Sequence, residues 1–191
     1  MLDWIRSLPL FHEESGFRAV HACWGGSSIE RLKALTGDGL LSDEQLISAA
    51  DPDKSDEMFM LTELITKGPE HRLPNDQSIT DKDGTIRHDV RLQWWNSSAR
   101  TWREIATSVQ SLEELPDEDL PETIASQTYP ITEPPVFFGH YWLSGDPVLQ
   151  AQNALCLDYS AGRDGPLVTY ELTDPHAPLS LDNIRVHPQI S

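Results

Sequence analysis

Positive charge is scarce in this chain of 191 residues. Its 14 Lys and Arg face 31 Asp and Glu, a formal net charge of −17. Such acidity disfavours non-specific contact with nucleic acid or an anionic membrane. Neither a nucleic-acid polymer nor a membrane is therefore expected as a partner. A phosphate ligand stays open, because a bound cation inverts the local field. Long apolar runs are also missing; none nears the roughly 18 residues of a membrane span. The first residues, Met1-Leu2-Asp3-Trp4-Ile5-Arg6, lack a basic segment followed by an apolar core, so no signal peptide is expected. Cysteine is limited to Cys23 and Cys156, with no Cys-x-x-Cys pair, which reads as two buried reduced thiols and a cytoplasmic location. There is no phosphate-binding Gly-x-x-x-x-Gly-Lys loop, no Gly-x-Gly-x-x-Gly and no Gly-x-Ser-x-Gly elbow.

What is present belongs to a soluble globular chain, 38% hydrophobic and 24% charged. That length suits one domain with a sizeable core. Residues 2–11 read as the end of an amphipathic helix stopped by Pro9, which hints that the chain starts inside a domain. Glu13-Glu14-Ser15-Gly16 reads as a turn and 17–24 as a strand. Ser28 is expected to cap a helix over 29–36 closed by Gly37. Ser42 and Gln45 form a capping box for a helix over 43–50. Ser55 opens a third helix, 56–67, with Phe59, Met60, Leu61, Leu64 and Ile65 as its apolar face. The polar stretch 69–92 predicts irregular structure and a hairpin around Asp83-Gly84. Residues 107–130 read as an acidic surface excursion, densest at Glu113, Glu114, Asp117, Glu118, Asp119 and Glu122. The last third is β-rich, with strands expected at 136–141, 154–159 and 167–172. A hairpin-like turn over 160–165 joins the last two, and the apolar runs at 136–138 and 154–157 predict strands covered on both faces.

Two strand ends carry chemistry. Val136-Phe137-Phe138 runs into Gly139-His140, and Phe17-Arg18-Ala19-Val20 runs into His21 ahead of Gly25-Gly26. Imidazole is the commonest neutral metal ligand, and a ligand on a strand end is held rigidly. A lone histidine of this kind also serves as a structural residue, and the pattern leaves both readings open. Asp174-Pro175-His176 matches Asp-x-His literally but lies in a Pro-rich tail and reads as a loop. Arg87 and Arg91 precede Trp94-Trp95; they suit either a bidentate phosphate grip or salt bridges to the chain's many carboxylates. The six tryptophans are scattered, which favours core packing for most of them.

Ser7-Leu8-Pro9-Leu10 leading into Phe17–Trp24, then Gly139-His140, then Leu157-Asp158-Tyr159-Ser160-Ala161-Gly162 ahead of 167–172, together resemble the later half of the calcineurin-like metallophosphoesterases. The likeness is to the bacterial serine/threonine protein phosphatase-like branch. It implies an α+β fold: part of a four-layer αββα sandwich, with the N-terminal strands missing, over 1–191 as a single partial domain. It also implies a two-metal site holding Mn or another transition metal, with His21 and His140 as the imidazole ligands of one metal. Arg91 and Tyr159 become candidates for contacting a substrate phosphate.

Departures from that pattern weigh as much. The family's Asp-x-His, Gly-Asp-x-x-Asp-Arg-Gly and Gly-Asn-His-Glu motifs, which supply the remaining ligands and the general acid, are lacking here, the literal Asp174-Pro175-His176 match being read as a tail loop. Two imidazoles without a carboxylate make a weak site for oxygen-preferring ions. The resemblance therefore implies a metal-dependent phosphoesterase in its complete form, of which this chain is a weakly active or inactive part. The alternative is a non-catalytic remnant half-fold that acts as an interaction module, by self-association or by pairing with the missing half. A third reading is an unrelated acidic binding module.

Overall fold

The computed structural model describes residues 2–51 and 56–189. In chain order its elements are α1 (Leu2–Arg6), β1 (Phe11–Glu14), β2 (Phe17–Val20), α2 (Gly26–Thr36), α3 (Asp43–Ala49), α4 (Glu57–Lys67), β3 (Glu70–Arg72), β4 (Ile79–Thr80), β5 (Ile86–Arg87), β6 (Asp89–Leu92), α5 (Trp102–Ile105), β7 (Ala106–Thr107), α6 (Glu122–Ala125), β8 (Val136–Phe138), β9 (Ala154–Cys156), β10 (Leu167–Tyr170) and β11 (Ile184–His187). Mixed helices and several small sheets make this an α+β chain. No helix among the described residues is long and apolar enough to cross a membrane. One domain was expected over 1–191. The residue contacts group the chain into two compact units, 1–67 with 131–191, and 68–130, each described by itself.

The first unit is built on a four-stranded sheet in the order β1-β2-β8-β9. β1 and β2 form an antiparallel hairpin, and β2, β8 and β9 run parallel. Side chains alternate across a strand. Phe137 and Leu155 share one face, where Phe17, Tyr170, Leu179 and Ile184 pack with them. Val136, Phe138, Ala154 and Cys156 point the other way and are also buried. Both faces of β8 and β9 are thus covered, as their continuous apolar sequences require. Arg18 ties the hairpin in place: it donates to Glu13 at 2.8 Å and Glu133 at 2.6 Å, and its guanidinium lies 4.9 Å from the Trp24 ring centroid. Burial raises the Glu13 carboxyl, but hydrogen bonds from Lys33 and Arg18 outweigh it and hold Glu13 below the usual carboxylate range.

Several local expectations are corrected. The Ser15-Gly16 turn is shorter than the one read from sequence, because Glu13 and Glu14 belong to β1. Helix α2 starts at Gly26 with Gly25 as its N-cap, so Ser28 lies inside the first turn; Gly37, at φ 78°, ends it. The expected opening residue of α4, Ser55, lies outside the described residues. There the Asp56 carboxylate accepts from the Phe59 N–H at 3.0 Å, in the manner of an N-cap. Met58 and Ile65 are the buried residues of α4, whereas Met60 is exposed. The anticipated hairpin of 154–159 with 167–172 is not formed: β10 pairs with β11, an antiparallel strand absent from the sequence reading.

The 68–130 unit holds the antiparallel sheet β3-β6-β7 and the hairpin β4-β5, turned at Gly84 as expected. Its core includes Leu73, Val90, Leu92, Trp102, Ile105, Leu115 and Ile124. The acidic segment is therefore pinned. Its carboxylates face solvent, while Leu115 and Ile124 anchor it from beneath. Trp94 and Trp95 lie in a turn beyond β6 and pack edge to face at 5.7 Å, which bears out the core role expected for them.

The capping box of α3 is complete. Ser42 Oγ accepts from Gln45 N at 3.2 Å, and Gln45 Oε1 accepts from Ser42 N at 2.9 Å. Ser42→Ala removes that reciprocal pair and should lower the unfolding free energy by about 1 kcal/mol, read from the urea midpoint.

Candidate functional site

Three parallel strands send their carboxyl ends to one side of a sheet. In open α/β sheets this is where ligands bind. β2 ends at Val20 and delivers His21; β8 ends at Phe138 and delivers Gly139 and His140; β9 ends at Cys156 and delivers Leu157 and Asp158. The first two exits are locked together, since the Gly139 N–H donates to the His21 carbonyl at 2.8 Å. The result is a direct pairing of His21 and His140, with ring centroids 5.4 Å apart and planes at 64°.

The backbone around His140 is unusual. His140 adopts φ 74° and Trp142 φ 50°, both left-handed, whereas Gly139 is not among the positive-φ glycines. The left-handed dihedral thus falls on the imidazole-bearing residue and not on the glycine before it. Non-glycine residues in this region are uncommon, with histidine among the enriched few, and they cluster where function over-determines the chain. The His140 ring packs on Tyr141 at 5.6 Å, edge to face.

Metal–imidazole bonds are about 2 Å long, so two imidazoles on one ion bring their centroids to roughly 5 Å. The observed separation meets that requirement. Edge-on aromatic pairs without a metal have similar separations, about 4.5–7 Å. Among the described residues no group of three or more His, Cys, Asp or Glu could hold a metal ion. The pair's spacing suits both a shared ion and a metal-free ring contact, and the described residues do not fit a two-metal centre.

Asp158 brings a carboxylate to the exit of β9, and sequence reading did not assign it a site role. Its Oδ1 accepts from Ser160 N at 3.0 Å and its Oδ2 from Trp142 N at 3.3 Å, while its carbonyl accepts from Leu143 N at 2.9 Å. It stitches the loop after β8 to the loop after β9. The Asp-x-Ser spacing at 158–160, typical of a carboxylate that caps its own turn, was the available signal.

The other two expected site residues have structural partners. Tyr159 is buried, and its hydroxyl accepts from Val148 N at 3.1 Å, which pins the loop before β9. Arg91 lies on β6 in the 68–130 unit, where Nη2 donates to Glu70 Oε1 at 2.9 Å; its buried Nε has no hydrogen-bond partner. Arg87 pairs with Asp81 at 2.9 Å. The Asp174-Pro175-His176 segment is a loop, with Asp174 Oδ1 accepting from His176 N at 2.9 Å.

No protein-family model matches this chain, and no curated protein or solved structure is significantly similar to it.

Two expectations follow from the strand exits. Cys23 and Cys156 are free and buried; burial raises the Cys23 thiol and pushes Cys156 up to about 12. Both should resist Ellman's reagent in the native protein at pH 8 and react together on denaturation. A Cβ on Gly165 would lie 1.8 Å from the Tyr159 carbonyl oxygen. Gly165→Ala must therefore open the 159–165 turn, and it should lower the melting temperature by several degrees in a thermal scan, the effect of about 1–3 kcal/mol of backbone strain.

Proposed function

We propose that this chain carries the two-imidazole portion of a divalent-metal phosphoesterase centre. His21 and His140 would hold one transition-metal ion, Mn or a relative of it. The observation that supports this reading is their 5.4 Å pairing at the exits of adjacent parallel strands. Neutral imidazole suits borderline transition ions better than Mg²⁺ or Ca²⁺. In a complete centre the metal pair contributes Lewis-acid stabilisation of the phosphoryl group. The carboxylates and the general acid that such hydrolysis needs would come from polypeptide outside these 191 residues.

The same reading takes the β1-β2-β8-β9 sheet as one sheet of a four-layer αββα sandwich. It also assigns the chain to a reducing cytoplasmic compartment, which its two free thiols support. On this reading the chain's own residues orient and hold a metal, and a phosphoester is the substrate of the completed enzyme. A second reading, a non-catalytic remnant acting as an interaction module, draws on the exposed apolar side chains of Trp4, Ile5 and Leu8 in and after α1.

Calorimetric titration of tag-free, chelator-treated protein with Zn²⁺ and Mn²⁺ tests the proposal. One ion should bind, and His21→Ala or His140→Ala should each weaken it by at least roughly tenfold. Hydrolysis of p-nitrophenyl phosphate with Mn²⁺ should stay at background. Affinity unchanged in both variants would falsify the shared-ion assignment. Robust turnover abolished by His140→Ala would instead show a complete catalytic centre within this chain.

A further inference from the structure

The imidazole pair has a neighbour that the proposed chemistry does not yet use. Trp142 follows His140 by two residues and is 47% exposed. The guanidinium carbon of Arg163 lies 4.9 Å from the centroid of its ring. Arg163 sits in the turn after β9. That turn is laced to the loop after β8 through Asp158 and through Ser160 Oγ, which donates to the Leu143 carbonyl at 3.2 Å. Ser160 in turn accepts from Arg163 N at 2.9 Å and Gly165 N at 3.1 Å. Cation and indole are thus both carried on the loops that leave the carboxyl ends of β8 and β9.

Arg163 also stands apart electrostatically. In a chain of net charge −17, eight of the ten arginines are ion-paired to carboxylates. Arg100 donates to the carbonyls of Ser97 and Ala99. Arg163 has no carboxylate partner among the described residues. An arginine seated over an indole is steadied by cation–π attraction, and its N–H donors, which radiate in the guanidinium plane, stay available. That fork matches two oxygens of a phosphate.

We propose that Arg163, steadied by Trp142, is a grip for a phosphate oxyanion beside the His21–His140 pair, a role that rests on the phosphoesterase reading above. An anion approaching an acidic surface is repelled nearly everywhere, and an arginine without a carboxylate partner offers it a local landing point. The grip reads the oxyanion. The exposed part of the indole gives an ester's organic group a surface to lie on.

Inorganic phosphate and phenyl phosphate, titrated into the full chain without metal, provide the test. Calorimetry reads affinity. The Trp142 indole N–H resonance, assigned by its loss in Trp142→Phe, reads the location. Both probes should shift that resonance. Arg163→Ala should weaken both by at least about tenfold, as loss of a charge-assisted bidentate contact implies, and Arg163→Lys should fall between. Trp142→Ala should cost about two- to fivefold, with most of it restored in Trp142→Phe. Circular dichroism and the melting temperature of each variant confirm folding.

Metal titrations on the same proteins separate the two readings, because Arg163→Ala should leave metal affinity unchanged. If wild type binds no metal while phosphate still binds through Arg163, the metal assignment fails and the grip stands. If metal binds as expected but phosphate binds Arg163→Ala as it binds wild type, or the indole resonance does not move, the grip is overturned alone.

Discussion

One backbone hydrogen bond fixes the geometry on which the candidate site depends. Gly139 N–H reaches the His21 carbonyl just past the point where β2 and β8 stop pairing as strands. It ties the two chains together just after the parallel ladder ends, so their exits leave the sheet side by side. The imidazoles then meet because their backbones are clamped rather than because the rings attract each other. Parallel pairing supplies the direction, and β9 on the other side of β8 adds Asp158 to the same end. Asp158 uses its carboxylate to hold loops in place. Its contribution is to keep the Trp142 and Ser160 turns in fixed positions.

Rigidity around the site comes from burial on both sides of the sheet. Phe137 and Leu155 fill one face, and Val136, Phe138, Ala154 and Cys156 fill the other. The same burial keeps the two thiols protonated and out of contact with solvent. The exposed edge strand β1 carries His12, Glu13 and Glu14, a charged edge that discourages pairing with another chain. On the opposite edge, β9 is occupied by its own preceding segment, with Ala154 N donating to the Ala151 carbonyl and Gln150 N to the Ala154 carbonyl.

Much of this was legible in the sequence, for identifiable reasons. The apolar triplet Val136-Phe137-Phe138 announced a strand buried on both faces, and Ser42 with Gln45 announced a capped helix. His21 and His140 were singled out because each ends such a run. Their contact was beyond reach, since 119 positions separate them and spacing carries no distance at that range. The β10–β11 pairing was missed because Asp164-Gly165 mimics a hairpin turn between β9 and β10, whereas Gly165 serves a close backbone approach to Tyr159. Ser28 was a plausible cap, but Gly25-Gly26 let the helix begin earlier. Trp142 and Arg163 drew no attention because cation–π partners 21 residues apart leave no periodic trace.

The parallel pairing of Arg18 with Val136 has a further consequence for how the chain could have been assembled. That contact closes a long loop, and the 68–130 unit supplies about half of it. Closure entropy grows only with the logarithm of loop length, so doubling a flexible loop costs about 0.6 kcal/mol. Carrying a whole compact unit between β2 and β8 is therefore nearly neutral for the sheet that pairs the imidazoles. The helices α2 and α4 in the same interval are a different matter, because Ile29, Leu32 and Ile65 are buried in the unit that carries the sheet and the Ile65 carbonyl accepts from Ala22 N beside His21.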